Sequence, residues 1–592
     1  MDLHIITQPE LARAPAPGAS TVLLSGVWPH AVDRNIVQVD DVLDARYGWI
    51  DLEAERLAEV AGQSSVAWVN ALALRYYLVK LLRVAVFFTQ VQPILRGDRV
   101  WVTAGPDDRD VAALLKQLCL RVGATCHVQR TNAIQPTSAR PRTEEPWRRR
   151  MRRWAERLQP SAHAQGSGPK VILCGNPRFL DAICGELHRR GCRQWWLYDQ
   201  FAVKPFLRWA PRGVGQLTCQ ATALDESSEH PTPRLPSLLF EGIDLRPLVA
   251  DWLTKRLASR ADDQQRLTGQ IAQHFDQFRP DLLVMDEDAT PMKRIAVAMA
   301  RRVGTKSFVV QHGAPVARFG FAPLAADGIF AWGQSSRDQF HRWGIPEDRI
   351  HITGSPSHDA LQQSIRPHRR RPGRRLRILL LATVPPRDAR PDVIEMNMTS
   401  RAYQEMIEAA FAGVASLPGA TLVVKPHPRA KDDPIVAAAI ARHPDLKVQQ
   451  IQGGRLAGRL RNVDCVLSCL SSAGIEATLA AVPVIQLVPR GAGRILPHAE
   501  WGLFGSATDA AKVSELIRRA VSGEVASPGA PIGDVFASVS SWQNTHGKSQ
   551  PAATRIADIL IEQAVAGDRT NQPPRRTRST SNGTGRPCMV GQ

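Results

Sequence analysis

The sequence predicts an α/β protein in which two similar parallel-sheet units face a cleft, with a further α/β region before them and a disordered tail after them. Three observations support this fold class. Short apolar strands alternate with amphipathic helices along most of the 592 residues, which favours parallel sheets covered on both faces. Segments rich in arginine and proline interrupt the alternation and mark linkers. Polar residues follow several strands directly, at the position where open α/β sheets bind ligands.

Residues 1–130 are predicted to form the N-terminal α/β region. The stretch RVWVTAG (Arg99–Gly105) reads as a strand, and the segment after it has acids at its start and a glycine near its end, as helices do. The most apolar window, Tyr76–Phe88, carries Lys80 and Arg83 and is too short to span a bilayer. We therefore expect a region without a membrane-spanning helix.

Residues 131–169 are predicted to be a basic linker that contains an amphipathic helix. Trp147, Met151, Trp154 and Leu158 recur on one face of that helix, and arginines occupy the rest of its surface. Such a helix is suited to an anionic membrane surface. The alternative is a helix that docks its tryptophans on the protein core and leaves its arginines solvated.

From Lys170 the alternation of strands and helices predicts a first cleft unit over residues 170–365. The arginine-rich stretch 366–377 is predicted to be a linker, and the alternation resumes over 378–566 as a second cleft unit. Residues 567–592 are rich in Pro, Arg, Ser, Thr and Gly. This composition predicts a disordered tail, because it offers little apolar surface for burial.

The chain carries 75 Lys and Arg against 56 Asp and Glu, a formal net charge of +19. This excess indicates an anionic partner such as a phosphorylated small molecule or an anionic lipid surface; a GC-rich gene that favours arginine explains most of it equally well. Basic and aromatic residues do not alternate, so no nucleic-acid partner is predicted. The cysteines are scattered and odd in total number, and no secretory signal is apparent. We therefore expect a cytoplasmic protein.

The first polar strand end carries three acids. Asp286, Glu287 and Asp288 follow the apolar strand LLVM. Clustered carboxylates repel one another, which raises one pKa and prepares that group as a general base. The alternative role is N-capping of the helix that starts near Pro291.

The second polar strand end carries a histidine. His312 lies between Gln311 and Gly313, directly after the strand KSFVV. A histidine here either acts as an acid or base or is a structural residue. Glycine beside it permits close backbone approach to a ligand. A further turn, which contains Gly354 and Ser355, is predicted to line the same cleft.

The third polar strand end is VVKPHPRA, which presents Lys425, His427, Pro428 and Arg429. The two prolines favour extended backbone, so the histidine is held in a stiff segment beside two cationic side chains. This pattern suits an anionic ligand. The alternative is a solvated basic turn that uses proline to end a strand.

The fourth polar strand end opens a helix. Ser471 and Ser472 precede it, and Glu476 lies in its early turns. Serine hydroxyls with the free N–H groups of a helix start suit a phosphate, whereas ordinary capping is the alternative role. Lys425, His427 and the serines together would hold a diphosphate or phosphodiester.

Other common sites are missing from the sequence. No GxGxxG follows a strand and no GxxxxGK[ST] occurs, so neither a dinucleotide oxidoreductase nor a P-loop ATPase is predicted. The sequence has no HExxH and no cluster of Cys and His. We therefore predict no cofactor and no metal.

The segments PDLLVMDED, VVQHGAP, AWGQSSRDQFHRWG, VVKPHP and SSAGIEATLAAVPVI together resemble the bacterial surface-polysaccharide transferases of GT-B fold. That group includes capsule Kdo transferases, sialyl- and polysialyltransferases and the CDP-glycerol glycerophosphotransferases. The resemblance spans Pro280 to Leu487. It implies two Rossmann-like domains, an acceptor domain followed by a donor domain, and a metal-independent glycosyltransferase.

By this resemblance, His427–Pro428 match an HP motif and Ser471–Ser472 match a paired-serine motif, both of which bind the nucleotide phosphate. Asp286–Asp288 match an acidic motif that supplies the base, although Ala289 stands where the motif has glycine. The implied partners are a nucleotide-sugar donor, for which a CMP-linked sugar is one candidate, and a capsule or lipopolysaccharide glycan or a lipid-linked glycan as acceptor. The implied location is the cytoplasm, at the inner membrane if the basic helix binds there.

Three alternatives stay open. A UDP-GlcNAc 2-epimerase shares the two-domain architecture and a similar Ser-Gly…Glu-Ala segment, but QHGAP replaces the stretch that those enzymes use. A CDP-glycerol glycerophosphotransferase belongs to the same resembled group. The non-enzymatic alternative is an anion-binding, membrane-associated scaffold that has lost its catalytic motif.

Overall fold

The computed structural model describes the protein over most of its predicted helices and strands. The described residues are 3–6, 20–23, 36–38, 47–62, 65–91, 99–104, 108–130, 164–199, 202–219, 234–258, 261–315, 318, 320–363, 375–383, 400–427, 430, 432–452, 456–469, 471, 473–480, 482–488, 504–522 and 550–570. The predicted basic helix Trp147–Leu158 lies outside these residues, as does most of the predicted linker 366–377.

The N-terminal unit is a parallel five-stranded sheet with helices. Its strands are β1 (Leu3–Ile6), β2 (Ser20–Leu23), β3 (Ile36–Gln38), β4 (Arg99–Ala104) and β5 (Thr125–Arg130), in the order β3-β2-β1-β4-β5. Its helices are α1 (Tyr47–Ala61), α2 (Ser65–Val69), α3 (Ala71–Val91) and α4 (Arg109–Arg121). Helix α3 contains the apolar window, and its buried face joins the core of this unit. None of the helices among the described residues is long and apolar enough to cross a membrane.

The second unit contains a parallel seven-stranded sheet. Its elements are β6 (Lys170–Cys174), α5 (Pro177–Arg189), β7 (Arg193–Tyr198), α6 (Val203–Trp209), β8 (Gly215–Thr218), β9 (Leu239–Phe240), β10 (Ile243–Asp244), α7 (Arg246–Ala258), α8 (Ala261–Phe278), β11 (Leu282–Met285), α9 (Pro291–Val303), β12 (Lys306–Val310), β13 (Gly328–Ala331), α10 (Gln334–Arg342), β14 (Ile350–Ile352) and α11 (Pro356–Gln363). The sheet order is β14-β13-β12-β11-β6-β7-β8. The β9–β10 hairpin and α7 pack instead into the core of the N-terminal unit.

The third unit contains a parallel six-stranded sheet. Its elements are β15 (Arg377–Leu381), α12 (Ser400–Ala415), β16 (Thr421–Lys425), α13 (Pro434–Arg442), β17 (Lys447–Gln450), α14 (Leu456–Leu460), β18 (Cys465–Ser468), α15 (Ala473–Leu479), β19 (Val484–Leu487), β20 (Gly505–Ala507) and α16 (Ala510–Ser522). The sheet order is β17-β16-β15-β18-β19-β20. The two parallel sheets of the second and third units confirm the prediction of two Rossmann-like domains.

The central strands explain this architecture. All residues of β11 and β18 are buried, and so are four of the five residues in β6 and in β15. Strands covered on both faces need continuous apolar sequence, which LLVM, VILC and ILLL provide. Helices on both faces supply that cover.

The last helix, α17 (Ala552–Thr570), returns from the third unit to the second. Its apolar face, which includes Ile556 and Leu560, is buried against α5 and β12. Asp359 of α11 accepts hydrogen bonds from the backbone N–H groups of Ala552 and Ala553, at 2.9 and 3.1 Å. The helix ends inside the segment 567–592, the predicted tail, whose remaining residues are not among those described.

Truncation of this buried face tests the return of α17. Leu560 is fully buried, so we expect Leu560→Ala to lower the free energy of unfolding by about 2–5 kcal/mol. Val565 on the same helix is 49% exposed, and Val565→Ala should cost less than about 0.5 kcal/mol. Urea denaturation measures both. Equal effects of the two substitutions would show that α17 does not pack on the second unit.

Candidate functional site

Both Rossmann-like sheets have a topological switch point, where the strand order reverses. In the second unit it lies between β6 and β11, and in the third between β15 and β18. Ligands of open α/β sheets bind at the carboxyl ends of strands beside such points. These two edges therefore define the candidate site.

Asp286 lies at the switch point of the second unit and bridges its two central strands. Its carboxylate accepts a hydrogen bond from the backbone N–H of Asn176, at 3.0 Å, and one from Nζ of Lys293, at 2.5 Å. Gly175 is required here, because a Cβ atom at that position would lie 2.2 Å from Oδ1 of Asp286. The carboxylate is thus held by the loop after β6.

Glu287 holds the turn between β11 and α9. Its carboxylate accepts from the backbone N–H of Ala289 and of Thr290, at 2.6 and 3.0 Å, and from Nζ of Lys293 at 2.5 Å. Burial alone would raise the pKa of Glu287, but Lys293 and these hydrogen bonds hold the pKa below its ordinary value. A carboxylate stabilised in its charged form is a weak base.

Asp288 points away from the other two acids. It is buried and accepts hydrogen bonds from the backbone N–H groups of Ala325 and Ala326, at 2.6 and 2.8 Å. Burial raises the pKa of Asp288 to about 6, and those two hydrogen bonds oppose the rise. The structure thus separates the three predicted acids into three different environments, and only Asp286 contacts the loop at the switch point.

His312 has the geometry of a base. Its Nδ1 lies 2.8 Å from the backbone carbonyl of Asp286. A carbonyl only accepts, so Nδ1 carries the proton and Nε2 of the neutral ring holds the basic lone pair. The ring stacks on Phe321 at 4.8 Å and meets the edge of Phe179 at 6.1 Å. Burial lowers the pKa of His312, while Asp286 and Glu287 oppose that shift, so the ring is neutral at pH 7.

Gln311 and Gly313 hydrogen-bond within the loop that carries the histidine. The side chain of buried Gln311 donates to the carbonyl of Gly313 and accepts from the backbone N–H of Trp332, at 2.8 and 2.7 Å. The indole N–H of Trp332 donates to the carbonyl of Gln311 at 2.9 Å. Trp332 in turn packs against the core of the third unit.

Gly354 and Ser355 form the turn into α11. Gly354 has φ +86°, a left-handed conformation that side chains other than glycine rarely adopt. Ser355 is buried, and its carbonyl accepts from the backbone N–H of His358 at 2.9 Å. The imidazole of His358 packs edge-on against Trp332, at 4.9 Å. Burial lowers its pKa to about 3, so it is neutral.

Charged residues from the two units meet across the cleft. The guanidinium of Arg178, at the start of α5, lies 3.0 Å from Oε1 of Glu476 in α15. Burial raises the pKa of Glu476, and Arg178 and Lys425 lower it. Burial lowers the pKa of Lys425, Glu476 opposes this, and Arg178 lowers it further. Two cations, one from each unit, therefore approach one carboxylate.

The predicted phosphate-binding segment lies at the same edge. His427 is half-buried, two residues beyond the end of β16, and its carbonyl accepts from the backbone N–H of Ala430 at 2.9 Å. Ser471 is also half-buried, and its hydroxyl accepts from the backbone N–H of Ala473 at 3.3 Å, as a capping serine does. Pro428, Arg429 and Ser472 lie outside the described residues.

Three site residues escaped the sequence analysis. Gly175 and Arg178 follow β6 in the stretch CGNPRF. The pattern of this stretch predicts only the end of a strand and the start of a helix. The other site residues were selected because they directly follow an apolar strand. The same criterion applies to β6, so Gly175 and Arg178 were predictable from the sequence. Lys293 gave no signal, because its pairing with Asp286 depends on the packing of α9.

A metal site finds no support in the described part of the chain. No group of three or more His, Cys, Asp or Glu residues there is arranged to hold a metal ion.

Comparison with known proteins gives similarities of fold. No protein-family model and no curated protein matches the chain. A UDP-N-acetylglucosamine 2-epimerase from Listeria monocytogenes is 14% identical, with a TM-score of 0.42, over 69% of this chain and 98% of that one. The UDP-GlcNAc 2-epimerase of Neisseria meningitidis, bound to UDP-GlcNAc, is 10% identical, with a TM-score of 0.40, over 67% and 99%. The lipopolysaccharide outer core galactosyltransferase WaaB is 11% identical, with a TM-score of 0.39, over 67% and 99%.

Gly175→Ala tests the close packing at the switch point. The new Cβ displaces Asp286, so we expect the free energy of unfolding to fall by about 1–3 kcal/mol. The matched control is Gly269→Ala in α8, where a Cβ meets no atom within 4 Å. That change should be neutral or stabilising by up to about 1 kcal/mol. If chemical denaturation shows Gly175→Ala to be as harmless as Gly269→Ala, the close contact with Asp286 does not exist.

Proposed function

We propose that the protein is a metal-independent glycosyltransferase of GT-B type that uses a nucleotide-activated sugar. The observation that carries the proposal is the position of His312, whose basic nitrogen is fixed by the carbonyl of Asp286, in the same cleft where Arg178 and Lys425 converge from opposite units. Transfer from a sugar phosphate requires a base for the acceptor hydroxyl and cations for the donor phosphate. Here both kinds of group lie at facing strand ends.

The donor phosphates would bind at the third unit. Lys425 and His427 leave the end of β16, and Ser471 leaves the end of β18. Helix α15 has only seven residues, so its dipole adds little and the side chains supply the binding. Pro428 and Ser472 complete this set by the sequence resemblance, and Arg429 completes it by its positive charge in the same basic segment. Glu476 would release Arg178 to the phosphates when the donor binds.

In the proposed transfer step, His312 is the base and the nucleotide is the leaving group. The acceptor hydroxyl gives its proton to Nε2 of His312 and its oxygen attacks the anomeric carbon. The bond between that carbon and the donor phosphate breaks, and the electron pair leaves with the nucleotide. Lys425, His427 and Arg178 stabilise the charge that develops on the leaving phosphate, which lowers the barrier.

Among the catalytic residues predicted from the sequence, His312 fits the role of base better than the acids do. Glu287 is stabilised in its charged form, and Asp288 is buried and accepts from two backbone N–H groups. Asp286 orients His312 through its carbonyl and the loop after β6 through its carboxylate. The three acids are therefore positioning residues in this proposal.

The biological role that fits is assembly of a capsule or lipopolysaccharide glycan in the cytoplasm, at the inner membrane. The support is the resemblance of the strand-end motifs and the net positive charge, which would hold the enzyme near anionic lipid or glycan. The test is a thermal-shift screen against CMP, CDP, UDP and their sugar conjugates, followed by analysis of the products. Conversion of UDP-GlcNAc to its 2-epimer, or transfer of glycerophosphate from CDP-glycerol, would overturn the proposal.

His312→Asn tests the base. The asparagine amide can still donate to the carbonyl of Asp286, but the basic nitrogen is gone. We expect turnover to fall by about 10²–10⁴-fold while nucleotide affinity stays the same. Because burial lowers the pKa of His312 and the neutral ring is the active form, wild-type activity should decline only below pH 6.5, the ordinary value. Retained turnover in the variant would assign the base to another residue.

His427→Ala and Lys425→Ala test the phosphate site. Each removes a hydrogen-bond donor or charge from the leaving phosphate, so turnover should fall by about 10²-fold or more. The matched control is His443→Ala, which lies in the same unit but pairs with Glu408. That variant should bind and react normally. Normal turnover by His427→Ala would contradict its role at the phosphate.

A further inference from the structure

A second cavity lies between the N-terminal unit and the second unit. Its volume is about 160 Å³. Helices α1, α2 and α3 form one wall, and the segments that follow β11 and precede β13 form the other. The chief lining residues are Glu55, Trp68, Ala71, Arg75, Arg294 and Phe321. We call this space the inter-unit cavity.

Its lining combines apolar surface with buried charges. Glu55, Arg75 and Arg294 are each at most 5% exposed. Glu55 forms ion pairs with Arg318, at 2.7 Å, and with Arg75, at 3.6 Å. The guanidinium of Arg294 lies over the ring of Trp68 at 5.0 Å and donates to the carbonyl of Trp68 at 3.1 Å. Apolar lining with a few convergent polar groups is typical of small-molecule sites.

Arg294 has an unused donor. Among the described residues, its buried Nε has no hydrogen-bond partner. Buried polar groups in native proteins are nearly always paired, so a lone donor in a cavity wall calls for a ligand or water. Another nitrogen of this side chain, Nη1, donates to the carbonyl of Trp68.

The inter-unit cavity adjoins the proposed base. Phe321 lines the cavity and stacks on His312 at 4.8 Å. Gly320 also lines it, and a Cβ at Gly320 would lie 3.6 Å from Cε1 and 3.8 Å from Nε2 of His312. The imidazole thus lies directly behind this wall of the cavity, and because Gly320 has no side chain, the space over this glycine is the shortest path from the cavity to Nε2.

We propose that the inter-unit cavity binds the terminal sugar ring of the acceptor, and that the N-terminal unit selects that sugar. The proposal rests on the transferase function proposed above. An enclosed cavity of about 150 Å³ in an engineered protein admits a benzene ring; this cavity is of similar size and opens to solvent, so it holds a pyranose ring whose substituents extend through the opening. The aromatic surfaces of Trp68 and Phe321 would pack on the apolar face of the ring.

The charges indicate the class of sugar. Three guanidinium groups and three carboxyl groups line the cavity or pair with its lining: Arg75, Arg294, Arg318, Glu55, Glu59 and Asp288. A balanced set neither attracts nor repels a charge strongly, whereas hydroxyl groups can donate to the carboxylates and accept from the guanidinium groups. A neutral hexose or N-acetylhexosamine fits this set better than a sugar acid.

A cavity-filling variant tests the proposal. Ala71 lies in the cavity wall and is half-buried. Ala71→Phe should lower the affinity for methyl glycosides of glucose, galactose and N-acetylglucosamine by at least about tenfold, as measured by saturation-transfer NMR. The matched control, Ala113→Phe, adds the same ring to an exposed position on α4. It should bind these glycosides as the wild type does.

A second variant keeps the test valid if Ala71→Phe fails to fold. Glu59 is exposed at the cavity rim, and Glu59→Gln should keep the fold and weaken glycoside binding by about threefold or more. Thermal shifts with CMP, CDP and UDP report on the donor cleft separately and should be the same in all variants. Absence of glycoside binding, or equal binding by Ala71→Phe and the wild type, would overturn the acceptor site. Glycoside binding by a protein that binds no nucleotide would instead overturn the transferase function, and the acceptor role with it.

Discussion

Parallel strands place all their carboxyl ends on one edge of a sheet, and the rest of the site depends on this constraint. In the second unit that edge brings Asn176, Asp286 and His312 together, although they are far apart in the sequence. In the third unit it brings Lys425 and Ser471 to one edge. The ion pair between Arg178 and Glu476 shows that the two edges meet, and the return of α17 ties the last part of the chain to the second unit. The carbonyl of Asp286 then fixes which nitrogen of His312 is basic, so backbone geometry determines the acid–base chemistry of the cleft.

The sequence was sufficient to predict the parts of this arrangement that depend on local pattern. Continuous apolar strands such as LLVM and ILLL can only be buried on both faces, and they are. The strand-end rule found Asp286, His312 and Lys425 because polar residues directly after buried strands are visible without a structure. The alternative roles were visible too, and the hydroxyl of Ser471 accepts from the backbone N–H of Ala473 at the start of α15, as a capping serine does. Capping and ligand binding use the same residue types at the same positions, so pattern alone does not separate them.

The remainder depends on contacts between distant segments, which leave no local pattern. The requirement for Gly175 arises from the carboxylate of Asp286, 111 residues later. The three adjacent acids looked equivalent in sequence, yet Lys293 and the backbone of Ala325 and Ala326 give each a different environment. The β9–β10 hairpin joins the core of the N-terminal unit, across a predicted domain boundary. The inter-unit cavity exists only because α1 to α3 pack against the segment that carries Phe321, so neither unit's sequence reveals it.

We place the donor in the cleft between the second and third units and the acceptor in the cavity beside His312. Hydrogen–deuterium exchange tests the first assignment most directly, with whichever of CMP, CDP and UDP stabilises the protein most. We expect slower exchange on both sides of the cleft, in peptides that cover 174–180, 422–427 and 473–479, with no change in α4. Protection confined to one unit, or found only outside these segments, would contradict it.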